Sequence, residues 1–169
     1  AACVALWLAA APAAAQPPAA GGDAAVLEAR DAFRKKDRAR LAALRAQVDT
    51  AQHPLAGWVA YWELNARLNE AQVDEVEAFY ERWRGQYVED RLRNDWLLEL
   101  GRRRDWANFA RDFPRFRMND DREVTCYHLL TQHLAGQDVR DAARAAWFAQ
   151  RDADDGCQLL GSTLYQARQ

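Results

Sequence analysis

Apolar residues recur at helical spacing along most of the chain, and this pattern constrains the fold more than any other feature of the sequence. From Ala24 onward they fall three or four residues apart, and turn residues interrupt the pattern about every 12 to 18 residues. The sequence has almost no runs of β-branched residues, which favour strands, whereas the strong helix formers Ala and Arg are abundant. The sequence therefore predicts an all-α fold.

The pattern divides into about nine predicted helices. In the third, Val59, Trp62 and Ala66 continue the stripe that begins just after Pro54, a residue suited to the first turn of a helix. Aspartates mark several helix starts and glycines mark several helix ends. The predicted N-caps are Asp37, Asp105, Asp138 and Asp155, and the predicted helix ends lie at Gly85, Gly101 and Gly136.

The connections between these helices are short, so successive helices should pack as antiparallel hairpins. A row of such hairpins is an α-solenoid, and the hairpin period of roughly 30 to 35 residues is close to that of tetratricopeptide repeats. The consensus Gly and Pro positions of those repeats are missing, which indicates degenerate repeats. We therefore expect residues 24–169 to form an α-superhelix of antiparallel hairpins.

The start of the chain is typical of a targeting segment. Residues 1–15 are uncharged, mostly apolar and end in three alanines, like the apolar region and cleavage site of a secretory signal peptide. No initiating Met or basic region precedes them, so we expect a signal-peptide remnant, followed by a linker at residues 16–23. An Ala-rich tail is the alternative; a membrane span is disfavoured because the apolar run stops at Pro17, short of about 20 residues. The prediction is an exported protein with no membrane span in its mature chain.

Cysteine usage supports export. Removal of the signal leaves Cys126 and Cys157, an even pair for which a disulfide is expected in an oxidising compartment. Both lie near the starts of predicted helices that are two apart in the row, so they can lie on the same side of the layer. Two buried free thiols are one alternative. A metal site with His128 and His133 is another, but His128 is turned about 200° from Cys126 on a helix, so these ligands do not converge.

The sequence lacks the motifs of common catalytic sites. Ser162 is the only serine and no nucleophile elbow surrounds it, and the phosphate-binding loops and the H-E-x-x-H zinc motif are missing. The carboxylates lie among arginines, which does not favour the raised pKa of a general acid. The net charge of −2 disfavours nucleic acid, since neutralising phosphates needs a basic excess. We therefore predict no catalytic residue, cofactor, metal ligand or nucleic-acid partner in this chain.

Six tryptophans follow the signal-like segment. Aromatic side chains often stack on sugars, but at least four of the six lie on the apolar stripes, so packing between helices is the favoured role for most of them. We expect Trp62, Trp83 and Trp96 to be mostly buried. The six are Trp58, Trp62, Trp83, Trp96, Trp106 and Trp147.

Three separated strings resemble the N-terminal helical region of the soluble lytic murein transglycosylases. They are residues 54–68 (PLAGWVAYWELNARL), residues 73–83 (VDEVEAFYERW) and residues 90–113 (DRLRNDWLLELGRRRDWANFARDF). Cys126-Tyr127 and the later Cys157 are similar to a Cys-Tyr pair and a second cysteine of that family. The strings occur in the family's order, and the similarity spans about residues 24–169. The acidic loop around Asp120 departs from the family pattern.

The resemblance implies a superhelix that holds a lysozyme-like domain at the C-terminal end of the family's chain. That domain cleaves the β-1,4 bond between N-acetylmuramic acid and N-acetylglucosamine, forms a 1,6-anhydro product and carries its catalytic Glu in a Glu-Ser string. No Glu-Ser string occurs in this sequence. The resemblance therefore implies a truncated scaffold, inactive alone, whose partners are peptidoglycan and the catalytic domain of its parent chain. The alternative is a stand-alone periplasmic helical-repeat adaptor that binds another protein.

Overall fold

The computed structural model describes residues 20–167, which form nine α-helices, one short 3₁₀ helix and no strand. The all-α prediction and the number of helices are confirmed for this part of the chain. The predicted signal remnant, residues 1–15, lies outside the described residues, and the first helix begins inside the stretch expected to be a linker. The helices are α1 Ala20–Arg34, α2 Arg38–Thr50, α3 Ala56–Asn65, α4 Val73–Arg82, α5 Tyr87–Arg103, α6 Trp106–Asp112, α7 Arg122–Leu134, α8 Arg140–Phe148 and α9 Asp155–Gln166, and the 3₁₀ helix Phe113–Arg115 follows α6.

Aspartate side chains start several of these helices by accepting hydrogen bonds from backbone N–H groups that the first turn leaves without a partner. Asp37 caps α2 and Asp105 caps α6, as predicted, and each accepts from the N–H three residues further on. Asp138 lies one residue before the cap of α8 and accepts from the N–H two residues further on. The cap of α9 is Asp154, whereas the predicted Asp155 is the first residue inside that helix.

Gly101 does not end α5 as the sequence suggested. The helix continues to Arg103, and the left-handed residue after it is Arg104, with a φ of 57°. Gly101 lies where α5 packs against α7, and a Cβ at this position would overlap the ring of Tyr127. The glycine therefore permits close helix packing. Gly85, by contrast, has a φ of 78° shortly after α4 and serves as a helix-end glycine.

The helices pack mainly against helices one or two places away along the chain. Sequential helices pair as α1 with α2, α2 with α3, α4 with α5 and onward to α8 with α9. The odd-numbered helices α1, α3, α5, α7 and α9 also contact one another in that order, and α5 reaches α9 as well. The odd-numbered helices therefore form a row, beside which the even-numbered helices pack. No helix in the described range has the length and apolar content that a membrane crossing requires.

Buried apolar side chains form three clusters along this row. The first joins α1, α2 and α3 around Leu41. The second and largest joins helices from α3 to α7 around Trp96 and Leu100. The third joins α7, α8 and α9 around Cys126 and Leu160. Each cluster thus holds neighbouring helices together.

The tryptophans differ in how deeply they are buried. Trp96 is only 2% exposed, as predicted. Trp62 and Trp83 are also mostly buried, as predicted, although part of their surface stays exposed, and each packs against both the first and the second cluster. Trp147 is 49% exposed, so its ring lies largely on the surface.

Replacing Trp96 by Ala should destabilise the protein by about 3 to 5 kcal/mol, because it empties a large site in the second cluster. The change also removes the ring over which the guanidinium of Arg103 lies at 4.9 Å. Chemical denaturation measures the loss, and Trp147→Ala is the matched control, for which we expect a much smaller cost. Equal losses of stability for the two variants would show that Trp96 contributes no more to core packing than an exposed tryptophan does.

Candidate functional site

Cys126 and Cys157 form a disulfide between α7 and α9, which confirms the predicted pairing. Their Cα atoms are 4.9 Å apart, 31 positions separate them in the sequence, and both are buried in the third cluster. Within the described residues, the one group that brings metal-ligand atoms close enough together consists of these two cysteines and Asp154. Because both sulfurs are consumed in the bond, no thiolate is available to a metal there.

The two histidines considered as metal ligands have other surroundings. His128 stacks on Phe113 with ring centroids 3.8 Å apart, and burial lowers its pKa. His133 lies in the last turn of α7 and is partly exposed. Because Cys126 is bonded to Cys157, the set of Cys126, His128 and His133 cannot act as a metal site in this state.

A group of buried charged side chains surrounds Arg93 of α5. This residue is 1% exposed, and its guanidinium donates hydrogen bonds to Glu89, Asp90 and Asp112 at 2.9, 3.1 and 3.2 Å. The guanidinium also lies over the ring of Tyr80, 4.2 Å from its centroid. One buried cation therefore connects α5 with α4 and α6. We call these five residues the Arg93 cluster.

Other donors complete the hydrogen bonding of these carboxylates. Asp90 accepts from the backbone N–H groups of Arg117 and Met118, the latter at 2.7 Å, in the loop that precedes α7. Asp112 accepts from the hydroxyl of Tyr80 at 3.0 Å and from the guanidinium of Arg115 at 2.7 Å. The cluster thus fixes the loop before α7 as well as three helices.

The surroundings of Glu89 lower the pKa of its carboxyl group. Burial alone would raise its pKa, but hydrogen bonds from the backbone N–H of Gly85 and from Arg93 outweigh burial, so the pKa of Glu89 lies below its ordinary value. A carboxyl group that is held ionised cannot serve as a general acid near neutral pH. The pairing of Glu89 with Arg93 therefore serves structure.

Glu123, in the first turn of α7, has the opposite shift. Burial and the nearby charge of Asp154 raise its pKa, and a hydrogen bond with Tyr127 only partly opposes them. Glu123 lines a depression of about 450 Å³ together with Asp120 and Asp121. This depression is acidic and open to water, and it lacks the apolar enclosure that keeps a general acid protonated in glycosidases.

The surface between α3 and α5 places aromatic and amide side chains next to each other; we call it the α3–α5 groove. At one end Trp58 of α3 packs against Tyr87 of α5, with ring centroids 5.8 Å apart, and Tyr87 is 59% exposed. At the other end is a depression of about 360 Å³. Its lining includes Asn65, Leu68, Asn69, Asp95, Leu98 and Arg102.

Asp95 connects the two ends of the α3–α5 groove. Its Oδ2 accepts a hydrogen bond from the hydroxyl of Tyr61 at 2.6 Å and another from the amide of Asn65 at 2.8 Å. The ring of Tyr61 in turn meets Trp58 edge-on, with centroids 5.9 Å apart. Burial and the charge of Asp95 raise the pKa of Tyr61, so its hydroxyl stays protonated and donates. The aromatic and amide groups are thereby held in fixed positions.

A second surface depression, the α8–α9 groove, lies beside the disulfide. It has a volume of about 330 Å³, and its lining is largely apolar. Trp147, Phe148 and Tyr165 border it, and all three are exposed. Trp147 rests on Gly161, where a Cβ would be 3.1 Å from the ring. This groove offers mainly apolar contact.

The α3–α5 groove was not predicted from the sequence, where packing between helices was the favoured role for most tryptophans. The sequence pattern that could have indicated this surface is the spacing of four residues, which places their side chains on one face of a helix: Tyr87, Arg91, Asp95 and Arg102. That face becomes a groove only because α3 packs beside α5.

Comparisons of the chain with protein-family models, with curated proteins and with solved structures found no match. The resemblance to lytic transglycosylases therefore comes from the sequence strings alone.

Removing the disulfide by the paired change of Cys126→Ala and Cys157→Ala should destabilise the protein by roughly 3 to 4 kcal/mol, because the open chain gains loop entropy when it unfolds. Denaturation with and without a reductant measures this effect. The reductant should lower the stability of the wild type and leave the variant unchanged. A wild type that is insensitive to complete reduction would contradict the stabilising role.

Replacing Arg93 by Met should destabilise the protein at pH 7 by about 3 to 5 kcal/mol, because three buried carboxylates lose their shared cation. In the wild type, the contribution of Glu89 is complete above its ordinary pKa, about 4.3, and is lost as the pH falls through its lowered folded pKa. In the variant Glu89 loses the hydrogen bond from Arg93, so burial raises its pKa with less opposition, and acidification then protonates this carboxyl group at a higher pH than in the wild type. The stability gap between wild type and variant should therefore narrow towards pH 4.

Arg117→Met is the matched control for this change. Arg117 also pairs with Glu89, but its side chain is 56% exposed, so its loss should cost less than about 1 kcal/mol. Urea denaturation across the same pH range makes the comparison. If the difference in stability between the wild type and Arg93→Met stays constant with pH, unpaired carboxylates are not its cause.

Proposed function

We propose that the chain is the non-catalytic superhelical scaffold region of a periplasmic peptidoglycan lytic transglycosylase. The observation that carries the proposal is where the resembling strings lie in the fold. Residues 54–68 cover α3, residues 73–83 cover α4, and residues 90–113 cover most of α5 and all of α6. These helices contribute most of the second and largest cluster. The resemblance therefore concerns the segments that build the centre of the scaffold.

The packing order of the helices supports a superhelix of hairpins. In a solenoid each repeat contacts only its neighbours, and here most contacts join helices one or two places apart. The disulfide joins α7 to α9, which are two places apart in the same row. The added contact between α5 and α9 is consistent with a row that curves tightly at this end.

The chemistry of the described residues supports a scaffold role and export. The pKa of Glu89 is held below its ordinary value, and Glu123 lies in an open acidic depression, so neither offers the setting of a glycosidase acid. The disulfide is the state that an oxidising compartment such as the periplasm maintains. In this proposal a lysozyme-like domain of the parent chain supplies the catalytic Glu, and peptidoglycan is the shared partner.

A stand-alone periplasmic adaptor is the second candidate. The observation that favours it is the α8–α9 groove, where Trp147, Phe148 and Tyr165 border an apolar depression. Exposed apolar surface of this kind is typical of protein docking sites. The reading frame beyond Gln169 separates the two candidates. Several hundred further codons with a Glu-Ser string are expected for the scaffold, and a nearby stop codon would favour the adaptor.

The purified chain should release no 1,6-anhydro muropeptides from peptidoglycan sacculi, since no described carboxyl group has the setting of a catalytic acid. Chromatography of the soluble fraction measures release, and digestion of the same sacculi with lysozyme is the positive control. Glu123→Gln tests the one candidate acid with a raised pKa. Release by the wild type that disappears in this variant would make the chain an enzyme and defeat the proposal.

A further inference from the structure

We propose that the α3–α5 groove binds a strand of an N-acetylated β-1,4 glycan. The binding chemistry is argued from the groove itself, and the identification of that glycan as peptidoglycan rests on the proposed function. Three features of the groove carry the inference: an exposed aromatic ring at one end, side-chain amides in the depression at the other end, and charges that are already paired.

The aromatic platform is formed by the exposed ring of Tyr87 and the partly buried ring of Trp58 on which it packs. Sugar rings present apolar C–H faces, and these faces stack on aromatic rings that are exposed and held in place. Tyr87 is 59% exposed, yet its ring packs on Trp58, which also packs on Tyr61 and on Trp62 with centroids 5.9 and 6.2 Å apart. Phe33 of α1 continues the series, 6.3 Å from Trp62. An exposed ring supported in this way loses little conformational freedom when a ligand binds.

Amide groups lie at the other end of the groove, in the depression between α3 and α5. Asn65 uses its Nδ2 to donate to Asp95, and among the described contacts its Oδ1 accepts no hydrogen bond. Asn69 is exposed and lines the same depression. An acetamido group presents one N–H donor and one carbonyl acceptor, which a pair of side-chain amides can satisfy. The groove therefore has partners for the substituent that distinguishes an N-acetylated sugar from glucose.

The charges of the groove favour an uncharged ligand. Asp95 is hydrogen-bonded to Tyr61 and Asn65 and lies 3.9 Å from Arg91. At the far end, Glu99 accepts hydrogen bonds from both Arg103 at 2.8 Å and Arg102 at 3.3 Å. Because the opposite charges largely neutralise each other, the groove has little attraction for a polyanion or a highly charged peptide.

The distance from Tyr87 to Arg102 suits a strand and exceeds a single sugar. Tyr87 and Arg102 lie on one face of α5, and a helix rises 1.5 Å per residue, so their Cα atoms are about 22 Å apart along the helix axis. An extended β-1,4 glycan can place several sugar units over that distance, with one ring on the aromatic platform and others over the depression.

Titration calorimetry with a β-1,4-linked N-acetylglucosamine hexasaccharide tests the site in the purified chain. The wild type should bind it, and should bind cellohexaose, which has the same linkage without acetamido groups, at least roughly tenfold more weakly. Tyr87→Ala and Trp58→Ala should each weaken hexasaccharide binding roughly tenfold through the lost stacking. Tyr165→Ala removes an exposed tyrosine from the α8–α9 groove and should bind like the wild type.

Tyr87→Ala is the decisive variant, because Tyr87 is mostly exposed and its loss should not disturb folding, as circular dichroism can verify. Three results would each overturn the site: no binding by the wild type, equal losses in Tyr87→Ala and Tyr165→Ala, or equal affinity for cellohexaose. A different result would contradict the proposed function. A short reading frame without a Glu-Ser string would remove the transglycosylase parent and leave hexasaccharide binding untouched.

Discussion

A single guanidinium buried among three carboxylates is the interaction on which the middle of this protein depends. Taking Arg93 out of water costs several kcal/mol, and so does burying Asp90 and Asp112, so each charge is tolerated only while the others are in place. The excess negative charge is balanced by Arg115 from the 3₁₀ helix and by backbone N–H groups of the following loop. The cluster therefore favours one specific arrangement of α4, α5, α6 and the loop before α7.

The same cluster determines which face of α5 meets solvent. Because successive residues are about 100° apart around a helix, fixing Arg93 in the interior also fixes the rotation of α5. The opposite face then presents Tyr87 and Asp95 beside α3, where Asp95 holds Tyr61 through its hydroxyl. The proposed glycan site thus follows from the packing of the core. In the proposed function, this rigid surface would position a polymer without doing chemistry on it.

Much of the secondary structure was predictable from sequence, and so was the disulfide, because helical periodicity and an even pair of cysteines are local or simple signals. The Arg93 cluster was not predictable, since Glu89 and Arg93 have the i,i+4 spacing of an ordinary surface pair, and only packing shows that they are buried. Gly101 was misread for a related reason: a glycine near the end of an apolar stripe can end a helix or permit close packing. The α3–α5 groove exists because these two helices are neighbours, and helical periodicity does not predict which helices become neighbours.

The proposed glycan site is tested most directly by mapping amide chemical shifts of the isotope-labelled chain during titration with the N-acetylglucosamine hexasaccharide. The expected result is a set of shifts confined to residues 58–69 and 87–102, centred on Trp58, Tyr87 and Asn69, with α8 and α9 unchanged. Shifts that cluster around Trp147 and Tyr165, or no shifts at saturating hexasaccharide, would contradict it.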